Sequence, residues 1–152
     1  MRIAEDSTNE AVRRALREDA TVMMLGHGNP YGLFSAPDKK GRYERFLITD
    51  CHVQFLRGKT CIGIWCHSDQ FAQRYHLHGL FSGMIISELQ EAIDYGIEAT
   101  KEEIDREMEK FARRLRHCID SFDLEEVPMR MKELDDVKSA LTTFNYDRLY
   151  YY

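Results

Sequence analysis

The chain predicts an α/β fold, a small and mostly parallel sheet flanked by helices, and three observations predict it. Short apolar runs alternate with amphipathic segments of helix length. The runs, Thr21 to Leu25, Cys61 to Trp65 and Leu80 to Ile86, have the length and composition of buried strands. The amphipathic segments open on capping residues and close on glycines.

In order, Ser7 to Asp19 reads as a helix, with Ser7 and Glu10 as a capping box and Ala11, Val12, Ala15 and Leu16 on one face. Residues 20–25 form the first strand, buried on both faces. Residues 26–43 are a long loop rich in Gly, Pro, Asn and Lys, and loops of that length are usually functional. Phe46-Leu47-Ile48 is a short apolar piece; Asp50 caps a short helix through Leu56, which Gly58 ends. Lys59-Thr60 leads into the second strand, residues 67–79 are a second loop, and the third strand covers Leu80 to Ile86. Ser87 and Gln90 cap a helix to Tyr95, stopped by Gly96. Thr100 and Glu103 open a long helix whose face is Ile104, Met108, Phe111, Leu115 and Ile119. Val127, Met131, Leu134, Val137 and Leu141 carry one last helix, entered near Pro128. Phe144 to Tyr150 is a strand or an ordered extension.

A length of 152 residues suits one domain, 1–152, with a motif-bearing core at 7–95, a helical part at 99–141 and an aromatic tail at 144–152. The composition, 43% hydrophobic and 31% charged, is that of a soluble globular protein. The net charge of −5 comes without a basic stripe, which argues against nucleic acid as a partner. No run approaches the roughly 18 apolar residues of a membrane span, so no membrane role is expected. Four cysteines without a CxxC pair or an export signal suggest reduced thiols and a cytoplasmic setting. The chain opens on a helix with no strand before it, so the sheet is expected to be small or the chain truncated.

Two blocks carry the candidate chemistry. Thr21-Val22-Met23-Met24-Leu25-Gly26-His27-Gly28 ends a strand on a histidine; Cys61-Ile62-Gly63-Ile64-Trp65-Cys66-His67-Ser68-Asp69 ends another on a cysteine 39 positions later. The carboxyl edge of a parallel sheet is where such folds place chemistry. A thiol nucleophile needs a base and oxyanion donors; His27 supplies the first, while the N–H groups of Gly28 and Cys66 are candidates for the second. Ser68 and Asp69 are candidate substrate-binding residues, with Asp69 alternatively capping a helix at Gln70–Tyr75.

Apolar-run–His-Gly followed by apolar-run–Cys resembles the caspase-like cysteine peptidases of the caspase–hemoglobinase fold. The resemblance covers residues 7–95, with the strand-then-helix stretch Phe46 to Lys59 between the two blocks. It implies a three-layer architecture, Cys66 as nucleophile, His27 as general base and Gly28 as oxyanion donor, in a cysteine endopeptidase acting through an acyl-enzyme on a peptide or protein substrate, without cofactor or metal. The departures are Trp65 where the family carries a small residue and the lack of a glycine after Cys66. They define the alternative, a catalytically inactive caspase-like module for protein–protein interaction.

A metal site at Cys66, His67, His76 and His78 is the weaker reading, since the spacing fits no zinc pattern. Cys51, Cys61 and Cys118 fall on element faces and are expected in the core. Tyr150-Tyr151-Tyr152 is a candidate homodimer contact, although packing on its own domain is the simpler expectation.

Overall fold

The computed structural model describes residues 9–18 and 21–152. It divides into two compact units, one running to Gly83 and including Tyr152, the other Met84–Tyr151. The expected cap at Ser7 lies outside the described residues.

The first unit is α/β. Helix α1 (Asn9–Glu18) precedes strand β1 (Thr21–Leu25). Within the stretch expected as one loop, β2 (Gly28–Asn29) and β3 (Gly32–Phe34) form a hairpin, and β4 (Phe46–Ile48) pairs with β3 to complete an antiparallel sheet. The hairpin follows from Asn29-Pro30-Tyr31-Gly32: the Asn29 side chain accepts the Tyr31 N–H at 2.9 Å, and Pro favours the turn corner. Gly32 has φ +154°, and a Cβ there would lie 2.0 Å from the Ile48 carbonyl oxygen.

After β4, a 3-10 turn (Asp50–His52) runs into α2 (Val53–Leu56), and β5 (Thr60–Ile64) follows. Residues 67–79 are not a loop: α3 (Ser68–Tyr75) occupies most of them, and β6 (His78–Ser82) begins earlier than the apolar run suggested. The alternation of polar Ser68, Asp69, Gln70, Gln73 and Arg74 with buried Phe71 and Ala72 is a short amphipathic helix.

β1 pairs with β5 in parallel, and β5 with β6. Val22 lies beside Cys61 and Cys61 beside Gly79; Met24 lies beside Gly63 and Gly63 beside Phe81. These residues share one face, packed against Val12, Leu16, Val53, Leu56, Phe71 and Ala72 from the helices. Tyr152 exchanges both backbone hydrogen bonds with Gly79, at 2.9 and 3.0 Å, the reciprocal pair of antiparallel neighbours. Mostly parallel, the sheet is therefore mixed.

β1 is not buried on both faces. Met23 and Leu25 are 51% and 58% exposed, while Val22 and Met24 are buried. Among the described residues the strand pairs with β5 alone, so it alternates like an edge strand, whereas β5, with a partner on each side, is buried at Cys61, Ile62 and Gly63.

In the second unit, α4 (Leu89–Asp94) is capped one residue later than expected, by Glu88 with Glu91. The Glu91 carboxylate accepts the Ser87 and Glu88 N–H groups at 2.7 and 3.1 Å. α5 (Lys101–Ser121) opens on the Thr100–Glu103 capping box as read. The expected last helix is two, α6 (Val127–Leu134) and α7 (Ala140–Tyr146), followed by β7 (Leu149–Tyr151). The break is local: Asp135 accepts the Val137 and Lys138 N–H groups, Lys138 has φ 52°, and Ser139 starts a new capping box with Thr142. Ile86, Ala92, Ile104 and Leu141 form a core cluster, and the buried Asn145 side chain clamps both backbone groups of Ile86 at 2.8 and 2.9 Å. No helix among the described residues is long and apolar enough to cross a membrane.

Candidate functional site

The parallel register sets the geometry of the candidate site. Leu25 is the partner of Ile64, and Gly26 donates its N–H to the Ile64 carbonyl at 3.2 Å. His27 and Cys66 each follow that last pair by two residues, at the carboxyl edge of adjacent parallel strands. His27 is exposed, and its imidazole packs against the Tyr43 ring with centroids 5.1 Å apart. Cys66 is half-buried and in no disulfide.

Cys66 sits at a corner. Ser68 donates its N–H to the Trp65 carbonyl at 3.1 Å, closing a turn with Cys66 and His67 at its centre. His67 has φ 66° and ψ 28°, a left-handed conformation that costs a non-glycine residue about 1 kcal/mol. The surroundings hold it there: its N–H donates to the Gly83 carbonyl at 3.1 Å, and its Nδ1 lies 3.1 Å from Gln70 Nε2. The chain thus passes from β5 to α3 through a sharp turn with the thiol at its corner. α3 begins two residues after Cys66, and the positive end of a helix favours a nearby anion.

Gly28 has two structural features. Phe34 donates its N–H to the His27 carbonyl at 2.8 Å, making His27 and Phe34 a hydrogen-bonded pair. Gly28 and Leu33 are therefore the non-bonded pair of the ladder, and the Gly28 N–H points away from β3. The bare Cα of Gly28 also lies against Trp65: a Cβ there would meet the indole Cδ1 at 2.3 Å. Trp65, 2% exposed, donates its indole N–H to the Asn29 carbonyl at 3.1 Å. The bulky residue beside the cysteine, read from sequence as a departure, is the strut on which the His27–Gly28 segment rests.

Ser68 is fully buried, and its Oγ lies 2.5 Å from the Gly63 carbonyl and 2.9 Å from the Ser82 carbonyl while accepting the Ser82 N–H at 2.8 Å. The Ser82 hydroxyl in turn donates to the Trp65 carbonyl at 2.9 Å. These two serines latch together the ends of β5 and β6, where the sheet's own hydrogen bonds run out. Asp69 is the second residue of α3, half-buried, with Oδ1 buried and unpartnered among the described residues. Burial raises its pKa above the ordinary carboxylate range, against the opposing Gln70 N–H and the nearby His67.

His76 and His78 are exposed, and no group of three or more His, Cys, Asp or Glu among the described residues is arranged to hold a metal ion. Cys61 and Cys118 are buried as expected, and burial pushes the Cys61 thiol up to about 11. Cys51 is not in the core. It is exposed on the 3-10 turn, because the first turn after Thr49 presents Val53 and Leu56 inward and Cys51 outward.

The comparisons with known proteins add no relative. No family model, curated protein or solved structure matches the chain.

Proposed function

We propose that the chain is a caspase-like cysteine peptidase in which Cys66 and His27 act as a dyad on peptide bonds. The observation that carries the reading is the β1–β5 register, which brings both residues to the same edge of neighbouring strands. The turn that puts Cys66 at a strand-to-helix corner and the outward Gly28 N–H support it. His27 takes the Cys66 proton, and the thiolate attacks the scissile carbonyl. The Gly28 and Cys66 N–H groups stabilise the oxyanion, and His27 returns the proton to the leaving amine. Water then releases the acyl group. The substrate is a peptide or protein, the setting cytoplasmic, and no cofactor is required; the aromatic tail makes a homodimer a secondary proposal.

A non-catalytic interaction module is the second reading. It is favoured by Ser68, whose hydroxyl is spent on backbone carbonyls and is not offered to a substrate.

The test is hydrolysis of a fluorogenic peptide-amide library by the chain, Cys66→Ser and His27→Ala. The expected result is turnover reduced to background by Cys66→Ser and about 10²–10⁴-fold by His27→Ala, the usual weight of a general base. Turnover surviving in Cys66→Ser, or none on any peptide together with no acyl adduct on Cys66 by intact mass, overturns it.

A further inference from the structure

We infer that Tyr43 is the positioning residue of the proposed base: carried on an arm between β3 and β4, its ring sets the plane of the His27 imidazole. This role deepens the peptidase proposal and rests on it.

The main chain of His27 is tied on both sides, and its side chain is exposed. Its carbonyl accepts the Phe34 N–H at 2.8 Å, and the preceding Gly26 donates its N–H to Ile64 of β5 at 3.2 Å. The flanking residues, Gly26 and Gly28, have no side chains to lean on the imidazole. Strand register decides which rings it meets. His27 opposes Phe34 one pair beyond Gly28 and Leu33, and Phe34 opposes Phe46. Directly opposed residues share a face, so these three rings lie on the same side of the antiparallel sheet. Tyr43 enters the row between His27 and Phe34. Its ring centroid is 5.1 Å from the imidazole, with 36° between the planes, and 5.4 Å from the Phe34 ring, with 22°. Phe34 rests in turn on Phe46 at 4.8 Å.

The arm holds Tyr43 in place. Residues 35–45 fold around the Asp38 carboxylate, whose Oδ1 accepts the Lys40 and Arg42 N–H groups at 2.8 and 2.9 Å. Its Oδ2 accepts from Nε and Nη2 of the Arg42 guanidinium at 3.0 and 2.8 Å. The Arg42 carbonyl accepts the Asp38 N–H at 2.8 Å and closes the turn. At the root of the arm, Ser35 donates its N–H and its hydroxyl to the Arg45 carbonyl at 2.9 and 3.1 Å. Tyr43 lies between these two fastenings, so its ring reaches His27 from a fixed place.

A ring contact suits a base better than a hydrogen bond does. A hydrogen bond to an imidazole lies in the ring plane and occupies a nitrogen. Stacking bears on the ring face and leaves both nitrogens to the thiol proton and the leaving amine. His27 is thereby oriented without losing its chemistry.

The test is hydrolysis of fluorogenic peptide amides by the full chain and by Tyr43→Leu, Tyr43→Phe and Asp38→Ala, with the His27 ring protons followed by NMR. Tyr43→Leu should lower kcat about two- to tenfold at unchanged KM, the weight of one aromatic pair. It should also shift the His27 ring protons, which lose the shielding of the tyrosine. Tyr43→Phe should keep both the rate and the shifts. Asp38→Ala, which frees the arm while Tyr43 remains, should reproduce the leucine variant. Parent-like kcat in Tyr43→Leu, a rise in KM at constant kcat, a loss in Tyr43→Phe as large as in Tyr43→Leu, or ring protons unmoved by Tyr43→Leu overturns this assignment alone. A parent chain that cleaves no peptide overturns the peptidase proposal and this role with it.

Discussion

Cys51 touches an imidazole because His52 follows it in a tight turn; Cys66 and His27 share an edge only because two parallel strands align there. In the local pair the sulfur and the ring nitrogen are 3.4 Å apart, yet the histidine is locked, with one nitrogen on a backbone N–H and the other on Asn9. His27 is exposed, with its ring stacked on Tyr43 and its carbonyl in the hairpin ladder. Proximity of a thiol to a histidine is therefore a poor guide to nucleophilic catalysis. What matters is whether the ring's lone pair is available. The two thiols also differ in support: the Cys66 turn is tied to buried Trp65, Ser68 and Ser82, and Cys51 rests on an exposed first turn.

The sharpest way to break that comparison is Trp65→Ala. It removes a fully buried ring that packs on Phe71 at 5.7 Å and against Gly28, and it should cost about 3–5 kcal/mol in urea unfolding. Peptide hydrolysis should fall with it even where the chain stays folded, because the His27–Gly28 segment loses its strut. Hydrolysis unchanged in a folded Trp65→Ala chain would show that the indole is not what holds the His27–Gly28 segment.

Ser68→Ala should come next, at about 1–3 kcal/mol, since the buried Ser82 N–H would lose its acceptor. Cys51→Ser, on the exposed turn, should change stability by less than about 0.5 kcal/mol. A Ser68→Ala variant as stable as the parent would show that the serine latch is redundant with the strand ladder.

The sequence made the parallel sheet and the order of its main elements legible, because apolar runs and caps are local signals. Thr100 with Glu103 and the stop at Gly96 needed no tertiary information. The hairpin at residues 28–34 was readable in Asn29-Pro30-Tyr31-Gly32, although two-residue strands carry too few side chains to show a period. The α6–α7 break was concealed because Leu134, Val137 and Leu141 continue a helical spacing across a turn made by Asp135's side chain. At the candidate site, the residue types were legible and their duties were not. Ser68 looked like a pocket residue and is a latch; Trp65 looked like an intruder and is a strut. Both duties depend on β6 and the hairpin, partners remote in sequence. Cys51 was misjudged for the opposite reason: one residue's inward or outward direction on a three-residue 3-10 turn is not fixed by so short a pattern.

The smallest expected effects are in pH dependence, and they have opposite signs at the two sites. His52 is held neutral, its pKa below the ordinary 6.5, so below that pH the unfolded chain takes up a proton before the folded one does. Its contribution to stability is complete above pH 6.5 and is lost as pH falls from there toward the folded value. Asp69 is shifted upward from 3.8 by burial, so the folded chain protonates first, and the ionised carboxylate is a cost at neutral pH that is relieved in acid. A carboxylate in the first turn of a helix also gains from the helix dipole, about 0.3–1 kcal/mol, but the buried and unpartnered Oδ1 outweighs this. Urea unfolding at several pH values should show Asp69→Asn more stable than the parent at pH 7, with the gain gone once pH drops to about the ordinary carboxylate value. His52→Gln, whatever its absolute stability, should flatten the loss below pH 6.5. If Asp69→Asn instead destabilises the chain at pH 7, the carboxylate is working as a charge toward the α3 N-terminus or His67. The Cys66 corner would then be held electrostatically as well as by the serine latch.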